Sequence, residues 1–328
     1  MNDLYIGGDP GASLFFGSFD SRLDALNHLL NRVLGKVPPL RSFLDTTSFS
    51  SRSLVLALFA LLMVLILPGL VARGLRRTGL IAENFRGERI VQSFGVFPAL
   101  FAVLTLGFAI LLMPLLSSVC GHGLIVAFGF GGLGLLDDVR GTKEFKGVRG
   151  HLRALFTQRK LTTGLLKAVG GLLLAAWISL RLSPANPAEF LLNLLLMALS
   201  ANALNLLDLR PGRACATFLF GSMILLGFLV AHPTLGTVMP LILFVVPAFR
   251  AWLPDAQAKV MLGDTGSNLL GAALGLALAS CALPLSVKAL LIGFLIAFHL
   301  FAERFSLTKI IQGNRFLRWL DGLTGIRD

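Results

Sequence analysis

The chain has 328 residues, 55% of them hydrophobic and 14% charged, with a mean hydropathy of +0.80. That composition lies far from that of soluble globular domains and excludes one as the main architecture. The formal net charge of +12 gathers beside apolar runs, which argues against nucleic acid as its partner and for a membrane.

Residues 1–50 come first and read as an external or interfacial segment. Within them Leu23, Leu26, Leu29, Leu30, Val33 and Leu34 fall at helical spacing, which suits an amphipathic helix on the bilayer or a packed cap. No charged stretch followed by an apolar run precedes them, so no cleavable signal peptide is expected. From residue 51 to 305 the sequence predicts spans at 52–72, 95–117, 120–136, 161–181, 188–205, 214–231, 235–250, 267–283 and 286–303. Runs of about 20 apolar residues suffice to cross the hydrocarbon as helix. They are continuous and rich in Leu, Ala and Gly, without the alternation of outer-membrane strands. The expected fold is therefore all-α, a polytopic membrane protein of about nine transmembrane helices. Residues 306–328 form a basic amphipathic tail with Phe316, Leu317, Trp319 and Leu320 towards lipid.

Arg73, Arg76, Arg77, Arg86 and Arg89 follow the first span, and Arg140, Lys143, Lys146, Arg149, Arg153, Arg159 and Lys160 the third. Arg210, Arg213, Arg250, Lys259 and the tail continue the pattern, while alternate connections hold little beyond Arg181 and Lys288. Such an asymmetry predicts that the basic loops are cytoplasmic. Cys120, Cys215 and Cys281 are isolated, lack metal-ligand spacing, and read as small buried apolar residues.

The span interiors are nearly bare of ionisable groups, which disfavours a transporter pathway. The polar residues gather at span ends that share one face: Asn84, Asp137, Asp138, Asn202, Asn205, Asp208, Asp264 and Glu303. In "GLLDDVRG" Asp137 and Asp138 end a helix, where acidic groups are unfavourable without a compensating cation. In "SANALNLLDLRPGRA" Asn202 and Asn205 share one side of a helix and Asp208 follows as it leaves the membrane. They suit a polar ligand or a neighbouring helix. In "VMLGDTGSNLLG" Asp264 sits in a Gly-flanked turn at a helix start, as an N-cap or as a carboxylate suited to a metal shared with phosphate. His299 and Glu303 are four apart on the last span, as a pair or as a histidine satisfied by backbone.

With these motifs in order, "ENFRGERIVQSFG", "GLLDDVRG", "NALNLLD" and "MLGDTGSNLLG", the chain resembles the polyprenyl-phosphate N-acetylhexosamine-1-phosphate transferases, which include MraY- and WecA-like proteins. The resemblance runs from about Leu80 to Ile311. It implies transfer of a sugar 1-phosphate from a UDP-sugar to an undecaprenyl-type phosphate, with Mg2+ and release of UMP. It also implies a multi-pass protein of the bacterial plasma membrane, its active site facing the cytoplasm, in cell-wall glycan or peptidoglycan synthesis. By motif, Asp264 would be the principal magnesium ligand, with Asp137 and Asp138 handling the lipid phosphate or completing the metal site. Asn205 and Asp208 would line the nucleotide side, Lys167 resembles the family lysine, and Asn84 lies in the first-loop motif. A homodimer is implied through relatives alone.

The chain departs from the family in two places. After Asp208 it reads Leu209, Arg210, Pro211, Gly212 and Arg213 where the family has Gly-x-Asp-Gly-Leu. The arginines would either redirect the pocket, since guanidinium reads phosphate with a fork of donors, or mark loss of the usual nucleotide. The family's late histidine-rich loop has no match, and "IAFHLFAERFSLTK" stands there with Glu303. A non-catalytic lipid-phosphate or nucleotide-binding homologue and, further off, a carrier of lipid-linked cargo are the competing readings.

Overall fold

The computed structural model describes residues 48–141, 162–231 and 235–327. The segment expected over 1–50 lies almost wholly outside the described residues, as do the basic residues from Lys143 to Lys160. The described chain is almost entirely helical. In order it comprises α1 (Phe49–Arg77), β1 (Ile81–Glu83), β2 (Arg89–Val91), α2 (Val96–Leu112), a 3-10 turn (Pro114–Leu116), α3 (Ser117–Ile125), a π-helical turn (Val126–Phe130) and α4 (Gly131–Arg140). There follow α5 (Thr163–Arg181), α6 (Pro187–Leu207), α7 (Arg213–Ala231), α8 (Leu235–Ala256), α9 (Gly263–Ser280), α10 (Leu285–Arg304), α11 (Leu307–Gly313) and α12 (Arg315–Thr324).

Among the described residues five helical stretches are long and apolar enough to cross a membrane: α1, the path Pro114–Arg140, α5, α6 and α10. The apolar helices Val96–Leu112 and Arg213–Leu229 are shorter. The span expected at 120–136 is a single path whose hydrogen-bond pattern widens at Val126–Phe130. One π turn adds a residue to the helix and turns every later side chain, so it sets where Asp137 and Asp138 point.

α9 is the axis of the packing. Its residues from Thr265 to Ala273, and Gly275, Leu276, Ala277 and Ala279, are buried, and it packs most extensively on α6. Small residues allow that approach. A Cβ on Gly271 would stand 2.3 Å from the Ser200 carbonyl oxygen, and one on Gly275 2.6 Å from the Met197 Cα. In a membrane, where apolar side chains gain little by leaving lipid, such close backbone contact drives association.

The loop after α1, expected to be cytoplasmic, is a hairpin in which Ile81 pairs with Val91 and Glu83 with Arg89. Val91 then bridges to Val260, and the Phe94 and Gly95 N–H groups donate to the Met261 and Leu262 carbonyls. The hairpin is thereby stitched to the turn that precedes α9. Beneath it Val91, Phe94, Phe97 and Phe101 form a core with Leu67, Val71 and Leu75 of α1.

The tail also docks. Arg213, buried at the start of α7, donates from Nε to Asp321 Oδ1 at 2.5 Å and from Nη2 to Oδ2 at 2.8 Å. Arg327 adds bonds to the same carboxylate at 2.7 and 2.9 Å. Trp252 Nε1 donates to the Thr324 carbonyl and the Ile326 N–H to that of Ala256. Phe316, Trp319 and Leu323 are left exposed on the opposite face of α12, as an amphipathic helix lying on a bilayer requires.

Burial alone would raise the Asp321 carboxyl, but the hydrogen bonds and charges of Arg213 and Arg327 outweigh it and hold the pKa down at about 2. A carboxyl lowered from 3.8 stabilises the docked tail above its ordinary value and loses that contribution as pH falls towards the folded one. Hydrogen-exchange protection of α12, measured against α9, should therefore collapse between pH 3.8 and about 2. Asp321→Asn should lower it at neutral pH by roughly a hundredfold, because breaking a buried pair costs ~3 kcal/mol.

Candidate active site

The site forms where α4 ends, α5 and α9 begin and α6 leaves the bundle. α4 ends on two acids, and each finds its compensation differently. Asp138 reaches the N-terminus of α9: its Oδ1 accepts the Asp264 N–H at 2.9 Å, and its Oδ2 accepts the Thr265 N–H at 3.0 Å and the Thr265 hydroxyl at 2.6 Å. The Leu262 N-cap of α9 has no side-chain cap of its own, so Asp138 supplies one from another helix and meets the positive end of its dipole. Gly263 makes room for this. Its φ is +74, and a Cβ there would stand 2.7 Å from Asp138 Oδ2, so a side chain would meet both strain and collision.

Asp137 is instead compensated by Lys167, on the second turn of α5. The Lys167 ammonium donates to Asp137 Oδ2 at 2.7 Å and also to Asp264 Oδ2. α5 is fixed there by Thr162, whose hydroxyl caps the Leu165 N–H. Gly134, one turn before Asp138, lets α4 press on the start of α9, since a Cβ there would fall 2.3 Å from the Asp264 carbonyl oxygen. Two carboxylates on different helices thus converge on one cationic nitrogen.

Asp208 lies just past the end of α6. Burial, then the neighbouring charges of Asp255, Asp264 and Asp138, push its carboxyl well above the usual range. Four acids, Asp137, Asp138, Asp208 and Asp264, therefore crowd one place, with Lys167 the cation bonded to two of them. Asn205 Oδ1 accepts the Ser267 hydroxyl at 3.0 Å and so joins α6 to α9. Asn202, one turn earlier, is exposed.

Other expected site residues take different places. Asn84 shapes the hairpin tip: its Oδ1 accepts the Arg86 and Glu88 N–H groups, and its Nδ2 donates to the Ala258 carbonyl at 3.1 Å. It holds the loop ahead of Asp264. The Arg210 guanidinium lies 5.8 Å from the centre of the Phe85 ring, at the same hairpin tip. Arg213 turns to the tail, so its fork of donors reads Asp321. Glu303 is exposed at the end of α10, and among the described residues no hydrogen bond or ion pair joins it to the aspartates. His299 Nδ1 bonds the Leu295 carbonyl oxygen of its own helix.

Asp255 was missed by sequence reasoning. Its Oδ2 accepts the Gly212 N–H at 2.9 Å and its Oδ1 the Leu262 N–H at 3.3 Å, which ties the loop after Asp208 to the turn before Asp264. Burial pushes its carboxyl up to about 7 against those two hydrogen bonds and the charge of Arg327. A lone acid in "WLPDAQ" carries no sequence signal for such a bracket.

The donors fit a hard cation. Every candidate ligand is a carboxylate oxygen, and two of them already face a shared positive charge. Among the described residues no three His, Cys, Asp or Glu side chains close into a metal cage, whereas magnesium takes one or two carboxylates and fills the rest with phosphate and water. Asp137 and Asp264, which already share one ammonium, would be the pair to hold such a cation.

Beside the acids runs an apolar groove of about 550 Å³ between the π turn and α5, lined by Phe128, Gly132, Leu133, Gly170, Leu174 and Trp177. Leu133 lies one turn before Asp137, and Gly170 three residues after Lys167. The end of the groove formed by Leu133 and Gly170 is therefore the one nearest the charged cluster.

No curated protein sequence matches the chain significantly. Residues 121–282 match the sequence model of glycosyl transferase family 4, and that segment holds all four clustered acids and Lys167. The chain therefore belongs, across residues 121–282, to glycosyl transferase family 4, the family of MraY- and WecA-type polyprenyl-phosphate hexosamine-1-phosphate transferases.

Proposed function

We propose that the protein transfers an N-acetylhexosamine 1-phosphate from a UDP-sugar to a polyprenyl phosphate, releasing UMP. The reading places this reaction at the cytoplasmic leaflet of a bacterial plasma membrane, in cell-envelope glycan synthesis. The observation that carries it is the convergence of Asp137 and Asp264 on one cation near the end of an apolar groove. In the reaction an oxygen of the lipid phosphate forms a bond to the sugar-bearing phosphorus, and the bond from that phosphorus to the bridging oxygen of UMP breaks. The products are a lipid diphosphate sugar and UMP.

Three phosphate groups meet in that step, so the site must neutralise charge while holding an in-line approach. Mg2+ held by Asp137 and Asp264 would supply Lewis-acid neutralisation of the phosphate oxygens. Lys167, already between those carboxylates, offers its ammonium to a phosphate oxygen. Asp138 serves by position: it fixes the first turn of α9 and with it the direction of Asp264. The groove seats the apolar stem of the acceptor, so its phosphate reaches the acids without leaving the lipid. Buried in the tail latch, Arg213 explains part of the departure after Asp208 without calling on substrate.

Purified protein with undecaprenyl phosphate, Mg2+ and a panel of UDP-sugars should release UMP with one donor. In folded Asp264→Asn, turnover should fall by roughly a hundredfold or more, since a ligand to the transition-state charge is lost. Turnover like that of the wild type would refute the assignment, and ligand binding without release from any donor would favour a non-catalytic homologue.

The groove gives a second, separable outcome. A Cβ on Gly132 meets nothing within 4 Å, so Gly132→Phe fills the groove without disturbing the helices. Steady-state kinetics should show KM for the polyprenyl phosphate raised roughly tenfold with kcat little changed, the signature of lost ground-state binding. An unchanged KM would place the lipid stem elsewhere.

A further inference from the structure

α10 is long and apolar enough to cross a membrane and ends at Arg304, and α11 begins two residues later, after Phe305 and Ser306. So short a connection keeps the tail close to the bilayer surface at which α10 emerges. On α12, Phe316, Trp319, Leu320 and Leu323 stand at i, i+3, i+4 and i+7, which makes one stripe of a helix, and each is between 39% and 64% exposed. Basic residues border that stripe. Arg315 and Arg318 are exposed on α12 and Arg304 and Lys309 just before it, and among the described residues no ion pair joins any of the four to an acid.

The one acid of α12, Asp321, is buried on the other face, where Arg213 and Arg327 hold it. That latch leads towards the aspartates. Arg327 Nη1 also donates to the Pro211 carbonyl at 2.8 Å, and a side chain on Gly212, whose φ is +78, would run into the Thr324 carbonyl. The Gly212 N–H in turn donates to Asp255 Oδ2, and Asp255 Oδ1 accepts the N–H of Leu262, two residues before Asp264. The docked tail is thus the outer brace of the loop after Asp208 and of the turn before α9.

We propose that α12 binds the surface of an anionic phospholipid bilayer through its apolar stripe with Arg315 and Arg318, and that this contact tightens the Asp321 latch and the loop after Asp208. Two aromatics and two leucines bordered by arginines suit the boundary between headgroups and acyl chains, with the guanidinium groups at the phosphates. A helix of 10 residues does not hold its shape alone in water. Docking on Arg213 and lying on a bilayer both require α12 to be helical, and they use opposite faces. The ordering cost is met once for both contacts, so each strengthens the other. The charges act in the same direction, since an anionic surface attracts Arg315 and Arg318 and repels Asp321 unless its two arginines neutralise it. Any gain to sugar-phosphate transfer rests on the function proposed above; the lipid contact and its coupling to the loop do not.

The test is hydrogen exchange of the full-length protein in nanodiscs of phosphatidylcholine alone and of an equal mixture with phosphatidylglycerol. The anionic lipid should slow exchange of α12 and of residues 209–213 together, roughly tenfold or more, with α9 as the unchanged reference. Salt at about 1 M should remove the difference, because the headgroup charges are then screened, and so should the double variant Arg315→Gln, Arg318→Gln. Asp264→Asn should keep it, so failure of the transfer reading and failure of this one are told apart. Equal exchange of α12 in the two kinds of disc, or slowing of α12 without residues 209–213, overturns the proposal without reliance on any variant. Slowing that follows the number of chains per disc rather than the lipid charge overturns it in favour of a second copy of the chain.

Discussion

The acceptance by Asp138 of the first N–H groups of α9 is the constraint on which the rest of the site depends. A carboxylate at the end of α4 faces the negative end of its own helix, an unfavourable position. Here it faces the positive end of another helix at 2.9 and 3.0 Å, and the two unfavourable ends offset each other. The bond sets the rotation of α9 about its axis. That rotation aims Asp264 at Lys167, and Asp137, the adjacent residue on α4, meets the same ammonium. One capping bond between helices thus brings two acids to a shared cation, and the glycines at 134 and 263 are there because the bond needs the space.

Around that contact the loops are braced. The hairpin of β1 and β2 pairs with the turn before α9, Asn84 pins its tip to Ala258, and Asp255 joins the same turn to the loop after Asp208. Arg213, Asp321 and Arg327 close the outer side by docking the tail. These polar brackets surround a cluster whose like charges repel one another. On the proposed reading, structure holds that repulsion until phosphate and its counter-ion arrive, and pre-arranged charge of this kind is what catalysis of phosphoryl transfer uses.

The motifs made much of this legible. Asp137, Asp138, Asp208 and Asp264 stood out because ionisable groups at the ends of apolar runs are costly, Asn205 because an amide on an apolar helix needs a partner, and Lys167 through the family resemblance alone; the structure places these six around the start of α9. What each one touches was less visible. The acids looked alike in sequence, yet Asp138 caps a helix while Asp137 pairs with a lysine, a difference set by one π turn at Val126–Phe130 that no residue pattern announces. Asn84 read as a ligand contact from its place in the first-loop motif and Arg213 from its fork of donors, and here they bond Ala258 and Asp321. Asp255 carried no motif, since its importance comes from burial and from neighbours far along the chain. Asn202 and Glu303 were placed on the right helices and stand exposed.

The central claim is that Asp137 and Asp264 are held together to share a divalent cation with phosphate. Electron paramagnetic resonance of Mn2+, standing in for Mg2+, tests it most directly, measured on the purified protein with a UDP-sugar present. The account predicts loss of the free Mn2+ signal to one saturable site per chain, abolished in both Asp264→Asn and Asp137→Asn. Equal Mn2+ binding by the wild type and both variants would contradict it.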